Sequence, residues 1–233
     1  MSKTFEETQL PNTNLSYYRI RKWIGTFGLL LPILAPLIAG EKLSSISHYY
    51  YTQSGVLFTS LLILIGVFLA SYYGYDKVDN IITWVGGLSI ALVAIIPTPL
   101  EVCCEPYGHP TPICSCETDR LLGFIPPGAI HFGSAVLFFI SMAIMLIRQF
   151  TKGDLNAPGK TLYNLVYRIC GYGILLTLAF AGIMIFGFHA DEGTRFIFWV
   201  EVVMLVLFAA AWLLKGKVLE DLSDAIDKLR KSS

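Results

Sequence analysis

Six apolar runs divide this chain: Trp23–Ala39, Gly55–Tyr72, Ile81–Pro97, Ile130–Ile147, Tyr167–Phe188 and Phe196–Leu214. Each lies near the roughly 17–25 residues that a helix needs to cross a hydrocarbon core. Lipid offers backbone N–H and C=O groups no partner, so a spanning segment must close its own hydrogen bonds, as a helix does. The runs show almost no amphipathic period, which points to lipid rather than to a half-wet soluble core. Composition agrees: 55% of the 233 residues are hydrophobic and only 15% are charged. Six spans of about 20 residues require about 120 apolar positions, and the chain supplies about 128. Lys+Arg and Asp+Glu are balanced at 17 each, so no cationic excess exists to hold phosphate backbones. These features exclude a soluble globular enzyme, a disordered chain and a nucleic-acid-binding domain. The expected fold is all-α: a polytopic membrane protein with six transmembrane helices.

Lys and Arg set the orientation, because they are retained on the cytoplasmic side. The N-terminal segment, the second and fourth connections and the C-terminal tail together hold fourteen of them; Lys42, Arg120 and Arg195 alone fall on the other side. This predicts both termini in the cytoplasm and a plasma membrane (bacterial inner membrane) location. The chain then reads as a cytoplasmic segment 1–22, a transmembrane domain 23–214 with an outer Cys-rich loop 98–129, and an amphipathic cytoplasmic tail 215–233. The first run does not look like a cleavable signal, since no A-x-A pattern follows it. Its Pro32 and Pro36 each remove a backbone donor, so a kink is expected there.

The outer loop carries Cys103, Cys104, Cys114 and Cys116. An oxidising outer compartment favours disulfides. Pairing the adjacent Cys103 and Cys104 is strained, which leaves two cross-pairings open. A four-cysteine zinc site is the rival reading, though it lacks CxxC spacing. Cys170, in the fifth run, reads as a small packing residue.

Chemistry points to the same side. All four histidines, His48, His109, His131 and His189, map there, and Glu201 lies five residues into the sixth run. A carboxylate within a span normally faces the bundle interior and finds a partner. The expected site is therefore an outer-facing polar pocket of Glu201, His131, His48 and His189, with tyrosines 49–51 as further partners. It reads as a hydrogen-bonded packing cluster, as a site for a lipid head group or small ligand, or as an acid–base or metal site. His and carboxylate suit zinc with an open water position, but there is no HExxH. Ser44 or Ser47 could form a Ser–His pair, without a G-x-S-x-G element to support it. On the cytoplasmic side, Asp79 or Asn80 is expected to cap the third helix, or an acid of that turn to pair with Arg148 or Arg168. Gly86-Gly87 and Gly171-x-Gly173 would let helices approach closely.

The string Ser45-Ile46-Ser47-His48-Tyr49-Tyr50-Tyr51-Thr52, with Tyr73-Gly74-Tyr75-Asp76-Lys77-Val78-Asp79 and Ile130-His131-Phe132-Gly133-Ser134-Ala135, resembles a group of bacterial integral membrane proteins of the domain-of-unknown-function 998 type. More remotely it is similar to six-span autophagy-modulator and GPI-lipid-remodelling proteins of eukaryotes. The resemblance covers about residues 20–190. It implies a six-helix fold and some relation to lipid, and brings no established reaction or cofactor. In the resembling pattern a histidine often follows the tyrosines; here Tyr51 stands there and His48 lies three residues earlier. The functional expectation is a multi-pass protein that binds a lipid or small ligand at the outer pocket. An intramembrane metal-dependent or acid–base hydrolase, and a structural or assembly subunit, are the alternatives. Membrane lipids are the expected partners, with a homo-oligomer or another membrane protein as further candidates.

Overall fold

A computed structural model describes residues 3–98, 126–153, 159–190 and 194–218, with side chains from Tyr18 onward. Six helices follow in order: α1 (Lys3–Ala39), α2 (Gly55–Ala70), α3 (Lys77–Ile95), α4 (Pro127–Ile144), α5 (Lys160–Phe188) and α6 (Phe196–Lys215). A short 3-10 helix, Ser47–Tyr51, precedes α2, and a π-helical turn, Met145–Gln149, extends α4. No strand occurs among the described residues. Tyr18–Ala39 of α1, α3, α4 with its π turn, α5 and α6 are each long and apolar enough to cross a membrane. The chain is thus an all-helical, multi-pass membrane protein. The expected second span is shorter: α2 is an apolar helix of 16 residues, about 24 Å at 1.5 Å per residue.

Each helix packs on its neighbours in sequence, and α6 closes on α1. The ends alternate. One end gathers the last turn of α1, the first of α2, the last of α3 and the first turns of α4 and α6. Its ties are Ser54 Oγ to Ala35 O (2.6 Å), His131 to Ile96 O (2.6 Å) and Phe198 N to Ser44 O (2.8 Å). The other end joins Arg21 of α1 to Tyr72 (2.8 Å), Arg148 to Asp76 (3.0 Å) and Lys215 of α6 to Phe150 O (2.7 Å). They are called the Glu201 end and the Lys215 end below.

Inside the ring lie Phe58, Phe138, Phe208, Trp212, Leu31 and Ile65, all buried. Outside, Ile33, Leu37, Leu176, Ile183 and Phe186 stand exposed. A large apolar exterior is what lipid, as solvent, permits. Small residues set the closest approach. A Cβ added to Gly66 would lie 2.9 Å from Gly87 O, and one on Gly87 would lie 2.8 Å from Gly66 O. Here α2 and α3 pack backbone to backbone, the contact expected of Gly87.

At the Lys215 end the expected cap of α3 is corrected. Asp76 is the N-cap, its Oδ1 accepting the Asp79 N–H at 2.9 Å. Asp79 is fully buried and takes Lys152 Nζ at 2.6 Å and Arg148 Nε at 3.3 Å, and Asn80 Oδ1 accepts the Gly74 N–H. Arg148, rather than Arg168, makes the expected ion pair. Lys152 and Arg148 hold the Asp76 carboxyl well below the usual carboxylate range, and the two acids raise the Lys152 ammonium. The segment 1–22 is not separate, since α1 starts at Lys3 and runs unbroken into the first span. Pro32 and Pro36 are accommodated within it. Cys103, Cys104, Cys114 and Cys116, most of the loop 98–129, and the tail beyond residue 218 lie outside the described residues. Cys170 is a free, buried thiol, as its packing role requires.

Candidate functional site

The site at the Glu201 end is built from the connection between α1 and α2. Gly40 ends α1 with φ of +69° and returns its N–H to Pro36 O, a left-handed stop that glycine adopts without strain. The chain then folds over the start of α6. Tyr49 Oη accepts the Leu43 N–H (3.1 Å) and donates to Glu41 O (2.9 Å), closing this loop on itself. Arg195 Nε donates to Leu43 O at 3.1 Å.

Glu201, one turn further into α6, receives the tip of the loop. Its carboxylate accepts the Ile46 N–H at 2.6 Å, the Ser45 hydroxyl at 2.9 and 3.0 Å and the Ser47 hydroxyl at 3.4 Å. A half-buried carboxylate inside a helical bundle must be compensated. Here neutral donors do so, and no cation pairs with it among the described residues. Ser47 then reaches His131: Oγ and Nε2 lie 2.9 Å apart, and His131 Nδ1 lies 2.6 Å from Ile96 O. A carbonyl only accepts, so Nδ1 carries a proton. In the neutral ring Nε2 accepts the Ser47 proton; in the charged ring Nε2 donates to Ser47, which turns its proton to Glu201. Ser47 is therefore the joint of a chain running from Glu201 to Ile96. Ser47 and Glu201 also line a cavity of about 40 Å³, walled by Leu31, Phe58, Ile90 and Phe138. Its size suits water rather than a lipid.

The predicted residues thus converge in part. Glu201 and His131 belong to one network, joined through Ser47. His48 lies beside it, its Nδ1 3.0 Å from Ser44 Oγ. Burial, and then the charge of His131, hold the His48 pKa below its ordinary value. His189 ends α5 in the left-handed region (φ 50°, ψ 40°), and none of the bonds to Glu201 comes from it. The tyrosines expected to partner Glu201 go elsewhere: Tyr49 to Glu41 O and Tyr51 to Thr98 O (2.8 Å). Ser45 and the Ile46 N–H take their place. A backbone donor leaves no mark in sequence, but three serines within four residues opposite a lone intramembrane acid were a signal. No group of three or more His, Cys, Asp or Glu side chains is placed to hold a metal among the described residues.

A second feature flanks the network. Between α1 and α6 a groove of about 390 Å³ opens to the side, lined by Leu29, Pro32, Ile33, Pro36, Phe198, Trp199, Val202 and Val206. Lys42 and Arg195 also line it. Arg195 is held in place by its bond to Leu43 O and by the Phe198 ring, 4.2 Å from its guanidinium carbon. No family model, curated protein or solved structure matches the chain.

Proposed function

We propose that this chain is a six-span plasma-membrane protein, both termini cytoplasmic, that holds an anionic phospholipid at its outer end. One observation carries this reading: an apolar groove of about 390 Å³ shares its lining with Lys42 and Arg195, two of the three cations on the lysine-poor side. An acyl chain fits between α1 and α6, and the phosphate meets the two cations. The network of Glu201, Ser47 and His131 fixes the loop that carries Lys42, so it serves the site by positioning. The resemblance to the six-span bacterial group belongs to the same proposal, as does α2 as a short sixth span.

Native mass spectrometry of protein released from nanodiscs tests this. Phosphatidylglycerol should remain bound in preference to phosphatidylcholine. Val202→Trp, which fills the groove, and the double variant Lys42→Gln with Arg195→Gln should abolish that preference. Equal retention of both lipids, or retention that survives both variants, overturns the reading. Labelling of an engineered cysteine at Ser233 from the outside would overturn the topology.

The 2.9 Å contact of Ser47 with His131 favours a second reading, a serine-type hydrolase. Against it, the Glu201 carboxylate lies 3.4 Å from the same hydroxyl, where an oxyanion would meet negative charge. Labelling of Ser47 by a fluorophosphonate would decide for the hydrolase.

A further inference from the structure

The Lys215 end holds positive charge in a different setting. Lys215 Nζ donates to Phe150 O at 2.7 Å and stands over the rings of Phe150 (5.4 Å) and Tyr167 (5.3 Å). Arg21 donates through one terminal nitrogen to Tyr72 Oη at 2.8 Å and stands over the Tyr72 ring at 5.3 Å. Neither makes an ion pair among the described residues, whose ion pairs join Arg148 and Lys152 to Asp76 and Asp79. Trp212 links the two cations. Its ring meets Tyr72 at 5.6 Å and Phe150 at 4.9 Å, the rings beneath Arg21 and Lys215.

Around this group, donors are left over. Among the described residues Trp212 Nε1 and Arg21 Nε are buried without a partner, and so are both the nitrogen and the oxygen of the Gln149 amide, which lies beside Asp79 rather than in this group. Trp212 is 0% exposed and Gln149 is 1% exposed. Buried donors without partners are rare, because each forfeits its hydration. An ammonium uses one of three protons here and a guanidinium one of five. Two cations and an idle indole N–H, gathered from α1 and α6 and making no ion pair among the described residues, are complementary to a compact, multiply charged oxyanion. Aromatic rings hold each cation by its face and leave its remaining protons available.

We propose that this end is a binding site for a phosphate monoester group, held by Arg21 and Lys215 with the Trp212 indole N–H as a third donor. The group can arrive on a soluble phosphate compound or as the head of a phospholipid monoester. The site is separate from the groove between α1 and α6, and the two proposals stand or fall independently.

The full chain, labelled with 15N on its indole nitrogens, tests the proposal in detergent and in phosphatidylcholine nanodiscs. The Trp212 resonance is assigned by its loss in Trp212→Phe. Inorganic phosphate, or phosphatidic acid added to the nanodisc, should shift that resonance saturably, and chloride at matched ionic strength should not. Saturation by inorganic phosphate identifies a soluble source; a response to phosphatidic acid alone identifies the lipid. Arg21→Gln and Lys215→Gln should each raise the midpoint at least tenfold. Lys215→Arg, which keeps the charge, should stay within about threefold of wild type. No shift with either probe in the wild-type chain, an equal shift with chloride, or a midpoint unmoved by both Gln variants overturns the proposal.

Discussion

The two ends of this bundle compensate charge by different means. At the Glu201 end, one carboxylate sinks into α6 and collects a backbone N–H and two serine hydroxyls. At the Lys215 end, Asp79 is buried against two cations, while Lys215 and Arg21 rest on aromatic faces with donors to spare. The first arrangement fixes a loop and leaves few bonds unmade. The second leaves Trp212 Nε1 and Arg21 Nε without a partner among the described residues. The contrast separates a carboxylate met by neutral donors from cations laid on aromatic rings, although both would read in sequence as charge close to an apolar run.

The largest effect should come from Glu201→Ala. Three donors, one of them a main-chain N–H, lose their acceptor together, so a destabilisation of about 3–5 kcal/mol is expected. Denaturant unfolding in detergent micelles measures it, and a variant as stable as wild type would show that the loop does not depend on the carboxylate. Asp79→Asn should cost less, about 1–2 kcal/mol. Asp79 is fully buried, but the Lys152 and Arg148 side chains keep 27% and 44% of their exposure and recover hydration when it is lost. A loss as large as that of Glu201→Ala would erase the distinction between the ends.

Ser47→Ala should cost about 1 kcal/mol, and its effect should couple to His131→Ala in a double-mutant cycle. Strict additivity would mean that Ser47 does not join Glu201 to His131. The smallest effect concerns pH. The folded Asp76 pKa lies below its unfolded value, so its contribution is present above about pH 4 and fades as pH falls through the folded pKa. Lys152 has a raised folded pKa, so its contribution is present below about pH 10.5 and fades as pH rises through the folded value. Thermal melting across pH should show both limbs, with Asp76→Asn flattening the acid one. An acid limb unchanged in that variant would assign it to another group.

Much of the fold was legible because lipid imposes a simple rule: a long apolar run must be a helix. The runs at Ile81, Ile130 and Phe196 became α3, α4 and α6 with boundaries moved by a few residues. α5 begins at Lys160, seven residues before the expected start, because polar residues such as Lys160 and Asn164 end an apolar run without ending a helix. The cap of α3 was misplaced by three residues, since Asp76, Asp79 and Asn80 are all capable acceptors and only the folded turn selects one. The candidate site was half legible. Glu201 and His131 announced themselves by depth and chemistry; the serine that joins them did not, because serines are common and their partners lie 84 and 154 residues away.

Sequence by itself determined the number and apolarity of the helical segments, the uneven spread of Lys and Arg among the connections, and the presence of one acid inside an apolar run. These are sums over composition and period, which survive ignorance of how helices pack. Tertiary structure alone decided that α6 closes on α1 to form the lateral groove, that the loop around Ser45 delivers its N–H to Glu201, and that Trp212 lies between the rings beneath Arg21 and Lys215. Each depends on helix rotation and approach distance. Those are set by contacts such as Gly66 against Gly87, where a single added methyl group would force the backbones apart.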